Sequence, residues 1–453
     1  MKLSSPTISI LGQDPNRQHR INANSFQQNA ITTVHGWQYV AFYTAVPVPN
    51  ETGSACHVNI ARRQVYPELA EAAWQVLTFE DYEQVRDDGH DTISIGVCEG
   101  DGSVHVAFDH HCDELKFRMS KIGVAGDPSS HAWEASLFTE PRRYLPGIES
   151  EEVLKEVTYP RFVNVGDDLL LTYRTGQAGL GSDLLYRYSA STHSYTFLGQ
   201  PLTGISNSPY INGIDYRKDK LHISWCYRAF ITPPNPVATD AHQQQAGPNG
   251  PENNYDLNYA FSNDQGVTWK SSQGRVVARM YGGEGVETTI LPGVEGVRVF
   301  EIPMGSGVLN QEGQTVDWEG GFWVLNRERV DGGMVWVVYY RDPRGDWRRT
   351  LIDGVLKPTE TGPRGSVCVD RKGDVYLVLP GNLDDSLNIL RARKEEMYTR
   401  FDPVWMWDGF DGEPLVDVRR LEASDILSVF TRTSADVDGI RKVVVLDLLL
   451  TEV

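Results

Sequence analysis

One stretch of the sequence, residues 90 to 174, carries the side chains best suited to proton transfer beside an anion. His90 and His110 are imidazoles, which exchange protons near neutral pH. Tyr159 can act as a partner acid, or as a base if a neighbouring cation lowers its pKa. Arg174 stays cationic and can hold a carboxylate through two parallel hydrogen bonds. These four residues predict acid–base chemistry on a negatively charged substrate.

The same stretch also allows structural interpretations. His105 alternates with Ala107 and Asp109 along one apolar segment, which favours a buried polar network. His110 comes just after that segment ends, where loops build sites. The run Asp109-His110-His111 could bind a metal, but no second cluster at ligand spacing accompanies it, and the metal content stays open. Tyr159 could pack beside its proline, and Arg174 could pair with a carboxylate elsewhere in the fold.

The elements that position these residues form a repeat of short strands. One class of apolar or alternating segments occurs seven times, bounded by Gly, Asp, Asn and Pro. Its members are Trp37–Tyr43, Val104–Asp109, Leu169–Arg174, Leu221–Arg228, Phe322–Glu328, Val375–Pro380 and Asp425–Arg432. A second class follows each of them, at His57–Val65, Leu115–Ile122, Leu184–Thr192, Leu257–Trp269, Met334–Arg349, Leu387–Lys394 and Lys442–Leu450.

Seven such pairs predict an all-β, seven-bladed β-propeller. One small sheet cannot bury both of its faces, whereas blades packed around an axis cover each other. We expect residues 1–453 to form one domain, with the apolar C-terminal strand sharing a blade with N-terminal residues. Two packed β-sandwiches are the alternative. The segment Pro67–Val85 is the best helix candidate, or an ordered loop, and the polar segment Pro233–Tyr255 is expected to lie over one face.

Ser262–Trp269 (SNDQGVTW) fits the Asp-box pattern S-x-D-x-G-x-x-W. In this hairpin the aspartate caps the turn, the glycine takes a special backbone conformation, and the tryptophan packs beneath. The box lies at the periphery of a blade, so it marks the fold and says little about chemistry.

Charge and composition exclude several classes of partner. The net charge of −19 argues against nucleic-acid and membrane-surface binding, although a local arginine cluster can still hold an acidic ligand. No apolar run approaches the ~18 residues of a membrane span. The N-terminus lacks a leader pattern, so we expect an extracellular protein whose leader is removed, with the cytoplasm as the alternative. Five scattered cysteines predict buried thiols with at most one disulfide, and we expect a monomer.

Several motifs together resemble the BNR-4 group of propellers over nearly the entire chain. The resemblance is carried by Gly89–Ile93, Val104–His111, Thr158–Phe162, Leu171–Arg174, Tyr210–Ile214, Leu221–Trp225 and Leu309–Gly313. That group includes ulvan lyases and the lyases or rhamnosidases that act on the L-rhamnose-α-1,4-D-glucuronate cap of gum arabic-type arabinogalactan. The resemblance implies a polysaccharide lyase that eliminates rhamnose and leaves a 4,5-unsaturated glucuronate.

By the same resemblance, Arg174 neutralises the uronate carboxylate and Tyr159 is the tyrosine of the lyase site. His90 and His110 match the two histidines, with His110 as the principal acid or base. Residues expected to hold the sugar are His111, Tyr210, Asn212, His222, Arg228, Asn310, Gln311 and Arg364, although each could be a satisfied core group. Catalysis requires no cofactor, and a structural calcium is possible.

Two other functions remain open from the sequence. A glycoside hydrolase of the same fold, α-L-rhamnosidase-like or sialidase-like, would use many of the same residues. A propeller that binds an acidic sugar without catalysis would also need arginine and aromatic side chains.

Overall fold

The computed structural model describes residues 3, 5–46, 55–66, 73–148, 154–232, 248–281, 283, 285–352, 356–381 and 385–450. These residues form seven small antiparallel sheets, which are the blades of a seven-bladed β-propeller. The predicted fold class is therefore confirmed.

Blades 1 to 3 come from the first half of the chain. Blade 1 contains β2 (Ile31–Val34), β3 (Trp37–Ala45), β4 (Cys56–Gln64) and β5 (Gln75–Gln84). Blade 2 contains β6 (Ile93–Val97), β7 (Val104–Phe108) and β9 (Phe117–Met119). Blade 3 contains β10 (Val157–Val165), β11 (Asp168–Gln177), β12 (Leu180–Ser189) and β13 (Ser194–Thr203), with β8 (His111–Asp113) added beside β10.

Blades 4 to 7 complete the ring. Blade 4 contains β14 (Asn207–Arg217), β15 (Lys220–Ala229), β16 (Asn254–Ser262), β17 (Thr268–Lys270), β18 (Val276–Arg279) and β19 (Arg298–Phe300). Blade 5 contains β20 (Gly313–Val316), β21 (Phe322–Val330), β22 (Gly333–Arg341) and β23 (Trp347–Ile352). Blade 6 contains β24 (Ser366–Val369), β25 (Val375–Pro380), β26 (Ser386–Ala392) and β27 (Asp402–Asp408). Blade 7 contains β28 (Leu415–Val416), β29 (Ile426–Arg432), β30 (Lys442–Leu449) and β1 (Thr7–Gln13).

Blade 7 combines the two ends of the described chain. Strand β1 pairs antiparallel with β30, from Thr7 opposite Asp447 to Gln13 opposite Lys442. Helix α1 (Val418–Ser424) joins β28 to β29, and the Asp417 side chain caps it by accepting a hydrogen bond from the Arg420 amide at 3.0 Å. No helix in the described part of the chain is long and apolar enough to cross a lipid bilayer.

The hydrophobic core is divided among the interfaces between neighbouring blades. Seven clusters of buried side chains each join two adjacent blades, and the cluster containing Leu11, Phe42 and Val445 joins blade 7 to blade 1. Each blade is thus apolar on both faces, as expected when sheets pack around an axis. This division explains why the strand segments in the sequence are apolar runs as often as strict alternations.

The segment Pro67–Val85 does not form a helix where it is described. Strand β5 covers its second half, with Leu77 and Phe79 buried against β4 and charged neighbours facing solvent. Buried and exposed side chains alternate with a period of two residues, which is typical of an outer strand. This period, and not the helical spacing of the apolar residues, matches the structure. Residues 67–72, and most of the predicted polar segment Pro233–Tyr255, lie outside the described residues.

The Asp box has the predicted geometry. The Asp264 carboxylate accepts hydrogen bonds from the Ser262 hydroxyl at 2.6 Å and from the Thr268 amide at 2.7 Å. Gly266 adopts φ 95°, and Trp269 is fully buried between blades 3 and 4. The box therefore tightens the turn between β16 and β17.

Residues 22–30, here called the channel plug, cross the axis of the ring. The Gln28 side chain donates to the Asn212 carbonyl in blade 4 at 2.7 Å. Asn29 accepts from the Phe162 amide in blade 3 at 2.9 Å and, through its carbonyl, from the Ile95 amide in blade 2 at 2.9 Å. Gln28 is held at φ 22°, a conformation that persists only where surrounding contacts enforce it. The plug therefore separates the two ends of the central channel.

All five cysteines are free thiols, so the structure contains no disulfide between them. Four of the five are buried, as the sequence predicted, and Cys112 is half-buried.

Candidate active site

Two histidines share one carboxylate at one end of the channel. Asp88 Oδ1 lies 2.5 Å from His90 Nδ1, and its Oδ2 lies 2.6 Å from His111 Nδ1. The two imidazole rings stack with centroids 3.9 Å apart and planes 10° from parallel. The carboxylate and both rings are mostly buried. Asp88, His90 and His111 form the histidine triad, a compact group for proton transfer.

Local structure explains how the histidine triad assembles. The His90 amide donates to Asp88 Oδ1 at 2.9 Å, which closes a turn around Gly89 and brings the two side chains together. His111 begins the short strand β8, which pairs with β10 through Thr158. Burial raises the pKa of Asp88, but the hydrogen bonds from His111 and His90 outweigh it and hold that pKa well below its usual value. Asp88 is therefore an anion that is hydrogen-bonded to both rings.

Beside the histidine triad, Tyr159 and Arg174 come from adjacent strands of blade 3. The Arg174 guanidinium lies 5.4 Å from the Tyr159 ring and 5.2 Å from the Tyr210 ring of blade 4. Its Nη1 donates to the Tyr210 hydroxyl at 2.8 Å, and its Nη2 donates to the Thr158 hydroxyl at 3.3 Å. On the other side, the Arg228 guanidinium lies 4.6 Å from the Tyr210 ring. Two arginines thus bracket one tyrosine.

Tyr159 sits at an irregular point of its strand. It adopts φ 57°, and the pairing of β10 with β11 shifts between Thr158 and Arg161. A tyrosine in this backbone region is strained, and such strain concentrates at functional sites. Burial, followed by the nearby Tyr210, raises the pKa of Tyr159, although Arg174 opposes the change. The side chain is therefore a neutral phenol, which favours the acid role over the base role.

Phe26 of the channel plug lies between two charged or ionisable groups. Its ring stacks on His90 with centroids 5.2 Å apart and planes 22° from parallel, and the Arg364 guanidinium lies 4.8 Å from its centroid. The Phe26 ring is also 5.0 Å from the Tyr159 ring. A continuous stack therefore runs from Arg364 through Phe26 and His90 to His111, and it fixes the orientation of His90.

A buried carboxylate holds the arginines behind this stack. Glu413 Oε1 lies 3.7 Å from Arg364 Nη1 and 3.4 Å from Arg20 Nη1. Its Oε1 also accepts the Arg364 amide at 2.9 Å, and its Oε2 accepts the Ser25 amide at 2.5 Å. Burial raises the pKa of Glu413, but the positive charges of Arg20 and Arg364 outweigh this effect. The pKa of Glu413 is therefore below its usual value. One carboxylate is thus shared by two guanidinium groups.

The balance of charge at this end of the channel is positive. Among the described residues, no carboxylate forms an ion pair with Arg174 or Arg228, and their hydrogen bonds go to neutral groups. In a chain of net charge −19, two guanidinium groups without a carboxylate in ion-pair contact among the described residues mark a place where an anion could bind. The arrangement can therefore bind a carboxylate and exchange protons next to it.

Most of the sequence-predicted residues meet here. The structure brings together His90, His111, Tyr159, Arg174, Tyr210, Arg228 and Arg364. Asn310 supports the group indirectly, because its carbonyl and its side-chain oxygen accept from Arg364 at 2.8 Å and 3.2 Å. Gln311 is fully buried at φ 57°, and none of the described hydrogen bonds uses its amide group.

His110 does not contact the histidine triad in the described structure, and its role as the principal acid or base stays a prediction. It is 1% exposed, and its Nε2 accepts a hydrogen bond from the Lys116 amide at 2.8 Å. Burial, with help from Lys116 and Arg86, holds its pKa well below the usual value. Because Asp109 turns the chain at φ 61°, the side chain that reaches Asp88 is that of the next residue, His111.

His222 and Asn212 also lie apart from the cluster in the described structure. His222 is buried in blade 4, where its Nδ1 lies 2.7 Å from the Tyr259 hydroxyl and its ring stacks on Phe322. It lies six residues from Arg228 on the same strand, about 20 Å away. Asn212 faces the opposite side of the channel plug, where it lines a separate cavity. Both residues are polar members of the fold.

Sequence reasoning missed Asp88, Phe26, Arg20 and Glu413. Asp88 had a usable signal, because an aspartate two residues before a histidine can close a turn onto it. Phe26 and Glu413 had none, because their roles depend on contacts with blades that are distant in sequence.

The histidine triad is also the one group of three His, Cys, Asp or Glu side chains, within the described residues, whose ligand atoms lie within 4.8 Å of each other. A tetrahedral metal with bonds of about 2.0 Å would keep its ligand atoms about 3.3 Å apart. The observed contacts of 2.5 Å and 2.6 Å are hydrogen-bond distances instead. Calcium also prefers oxygen ligands. The triad therefore fits a hydrogen-bonded group better than a metal site.

A cavity lies at the other end of the channel. It has a volume of about 800 Å³ and is lined by Ser25 and Gln28 of the channel plug, by Asn212, and by Arg217 and Arg419 at its mouth. The proton-transfer groups are on the opposite side of the plug. This cavity and the proton-transfer groups thus lie at different ends of the channel.

Known proteins of similar sequence pattern and similar structure share this fold. The model of the BNR repeat-containing family matches residues 37–355. Among solved structures, the polysaccharide lyase Uly1 is similar at a TM-score of 0.69 and 15% identity, over 97% of this chain and 93% of that chain. A PL25 ulvan lyase is similar at a TM-score of 0.64 and 13% identity, over 96% of this chain and 95% of that chain. A structure of the ulvan lyase bound to -[GlcA(1-4)Rha3S]- gives the same values. No curated protein matches the sequence.

Proposed function

Because the chain belongs to the BNR repeat-containing family, we propose that it is a polysaccharide lyase that cleaves beside a uronate by β-elimination. The proposed bond is rhamnose-α-1,4-glucuronate in arabinogalactan or gum arabic side chains. The products are free L-rhamnose and a chain that ends in 4,5-unsaturated glucuronate.

One observation carries this proposal: Arg174, with no carboxylate partner among the described residues, lies within reach of a phenol and close to a pair of histidines. Elimination from a uronate needs a cation on the carboxylate, a base for the proton at C5 and an acid for the leaving oxygen at C4. The site holds one candidate for each requirement.

In the proposed elimination, each of these groups has one role. Arg174 binds the uronate carboxylate and stabilises the negative charge that develops when C5 loses its proton. A neutral imidazole of His90 or His111 takes that proton. The electron pair forms the C4–C5 double bond, the C4–O4 bond breaks, and O4 takes a proton from the Tyr159 hydroxyl. Solvent then returns a proton to Tyr159 and removes one from the imidazolium.

The proposed substrate rests on resemblance and on one neighbour. The motifs around His90, Tyr159 and Arg174 resemble those of lyases that act next to rhamnose. The ulvan lyase of similar fold was solved bound to -[GlcA(1-4)Rha3S]-. A glucuronate linked to rhamnose is common to both, and the arginines at this end of the channel suit its carboxylate.

A hydrolase of this fold is less well supported. Most glycosidases use two carboxyl groups on either side of the bond, about 5 to 10 Å apart. The carboxylates in contact with the described cluster are already engaged: Asp88 with two histidines, and Glu413 with two arginines. A tyrosine nucleophile would need a lowered pKa, whereas burial raises that of Tyr159.

The proposal is tested by mixing the purified protein with gum arabic and, separately, with ulvan. We expect ultraviolet absorbance from the unsaturated uronate and free rhamnose with gum arabic, and neither in an Arg174→Ala variant. Arg217→Ala, at the other end of the channel, is the matched control and should retain activity. Rhamnose without absorbance would mean hydrolysis. Absorbance with ulvan alone would change the substrate, and no product from either polymer would contradict the proposed reaction.

A further inference from the structure

Asp88 has no role in the reaction as proposed so far, yet it contacts both candidate bases. Each of its oxygens faces one Nδ1 atom, at 2.5 Å for His90 and 2.6 Å for His111. The carboxylate side chain is 13% exposed and those of the two histidines are 17% and 6% exposed. Water therefore competes little for these contacts.

The shared carboxylate decides the tautomer of both rings. Hydrogen bonds from the histidines hold Asp88 in its ionised form, so it accepts from both neighbours and donates to neither. Each Nδ1 must then carry a hydrogen. The nitrogen of each ring that can take a proton from a substrate is therefore Nε2.

We propose that Asp88 is a positioning residue that joins His90 and His111 into one base, which takes up a single proton at a time through Nε2. This inference rests on the proposed function for its catalytic consequence. Its account of the two tautomers and of the shared proton does not.

The spacing of the rings explains the limit of one proton. The first proton on either ring neutralises the negative charge of Asp88. A second proton would place two like charges in rings whose centroids are 3.9 Å apart, where repulsion is strong. Repulsion between the stacked rings therefore disfavours a second proton on the pair.

Other charged groups around the histidine triad also affect its proton uptake. In the described part of the chain, the charged or ionisable groups near it include Arg86, Asp91, Asp113, Tyr159, Arg174 and Arg364. None of them accepts a hydrogen bond from either Nδ1 in the described structure, so none replaces Asp88 in choosing the tautomer.

The first test measures the tautomers directly by nuclear magnetic resonance of the ¹⁵N-histidine-labelled protein, with His90→Gln and His111→Gln used for assignment. In the wild type, both rings should carry hydrogen on Nδ1 and should share one protonation step. In Asp88→Asn, the amide oxygen can accept from one ring only, so at least one ring should change to the Nε2–H form. Asp87→Asn, which alters the adjacent carboxylate, should leave both rings unchanged.

This measurement overturns the inference if either wild-type ring carries its hydrogen on Nε2. It also does so if the two rings take up two protons independently. The wild-type spectrum answers both questions, so the test survives a failure of Asp88→Asn to fold. It is also independent of whether the protein proves to be a lyase.

The second test is the pH dependence of kcat for the gum arabic reaction. Asp88→Asn should lower kcat by about 10²-fold or more, because one ring has the wrong tautomer. The acidic limb of its profile should move to lower pH, because loss of the carboxylate weakens proton binding by the rings. Asp88→Glu should recover part of kcat. A fall in kcat with an unchanged acidic limb would mean a merely structural role and would contradict the inference.

Discussion

The two ends of the central channel carry similar side chains in opposite electrostatic states. At the plug side facing the histidine triad, Arg174 and Arg228 hydrogen-bond to neutral groups. At the other mouth, Arg217 forms an ion pair with Glu422 and Arg419 forms one with Glu99. Both ends have arginine, acid and aromatic residues, but among these four arginines only Arg174 and Arg228 have no carboxylate in ion-pair contact among the described residues.

This contrast separates the two ends by the pairing of their arginines with carboxylates, although their residue types are similar. The mouth lined by Arg217 and Arg419, here called the lower mouth, opens into the cavity of about 800 Å³, and Trp318 in its lining is 42% exposed. Its arginines are nevertheless occupied by carboxylates from helix α1 and from the turn before β7. An anionic substrate would have to displace those partners, whereas Arg174 and Arg228 need only release neutral ones.

The largest expected effect comes from Arg174. Arg174→Lys should lower kcat/KM about 10²- to 10³-fold, because a lysine cannot make two parallel hydrogen bonds to a carboxylate. Arg217→Lys, at the lower mouth, should leave kcat/KM unchanged. Steady-state kinetics on gum arabic measure both values, and equal losses in the two variants would break the contrast between the two ends.

The adjacent residues His110 and His111 allow a second comparison, at the end of the channel that holds the histidine triad. His111→Gln should lower kcat about 10²-fold, because it removes one ring of the proposed base. His110→Gln should lower the thermal midpoint and leave kcat nearly unchanged, because His110 is buried and bonded to the Lys116 amide. A larger loss of kcat in His110→Gln would restore the role that the sequence predicted for that residue.

Near the histidine triad, Glu413 is the carboxylate that pairs with Arg20 and Arg364. Because its pKa is lowered, the ionised form stabilises the fold at neutral pH, and that contribution disappears as the pH falls through the lowered value. Glu413→Gln should lower the free energy of unfolding by about 3 kcal/mol at pH 7, since it leaves Arg20 and Arg364 without their carboxylate. Urea unfolding should show a smaller difference from wild type in acid, and an equal difference at both pH values would contradict this role.

The smallest effect is expected at the lower mouth. Glu422→Gln removes the partner of Arg217, but both side chains are partly exposed. The free energy of unfolding should fall by about 0 to 1 kcal/mol, with kcat/KM unchanged. If this variant instead gains affinity for acidic oligosaccharides by calorimetry, then compensation alone had kept the lower mouth from binding anions.

Much of the fold follows from local patterns. All seven first-class segments are the second strands of blades, as Trp37–Ala45 and Val375–Pro380 illustrate. The Asp box also has its predicted form, because it depends on residues within a few positions of one another. Strand β5 was missed because a short outer strand with one buried face resembles an amphipathic helix.

By itself, the sequence determined that this chain has seven strand pairs and that His90, Tyr159 and Arg174 belong to one cluster. Only the tertiary structure decided that His111 and not His110 contacts Asp88, that Phe26 and Glu413 lie beside this group, and that His222 is buried in blade 4. The physical reason is that strand period is a local property, whereas the direction of a side chain at a strand end depends on one backbone angle. At Asp109 that angle is φ 61°, and it turns His110 inward and His111 toward Asp88.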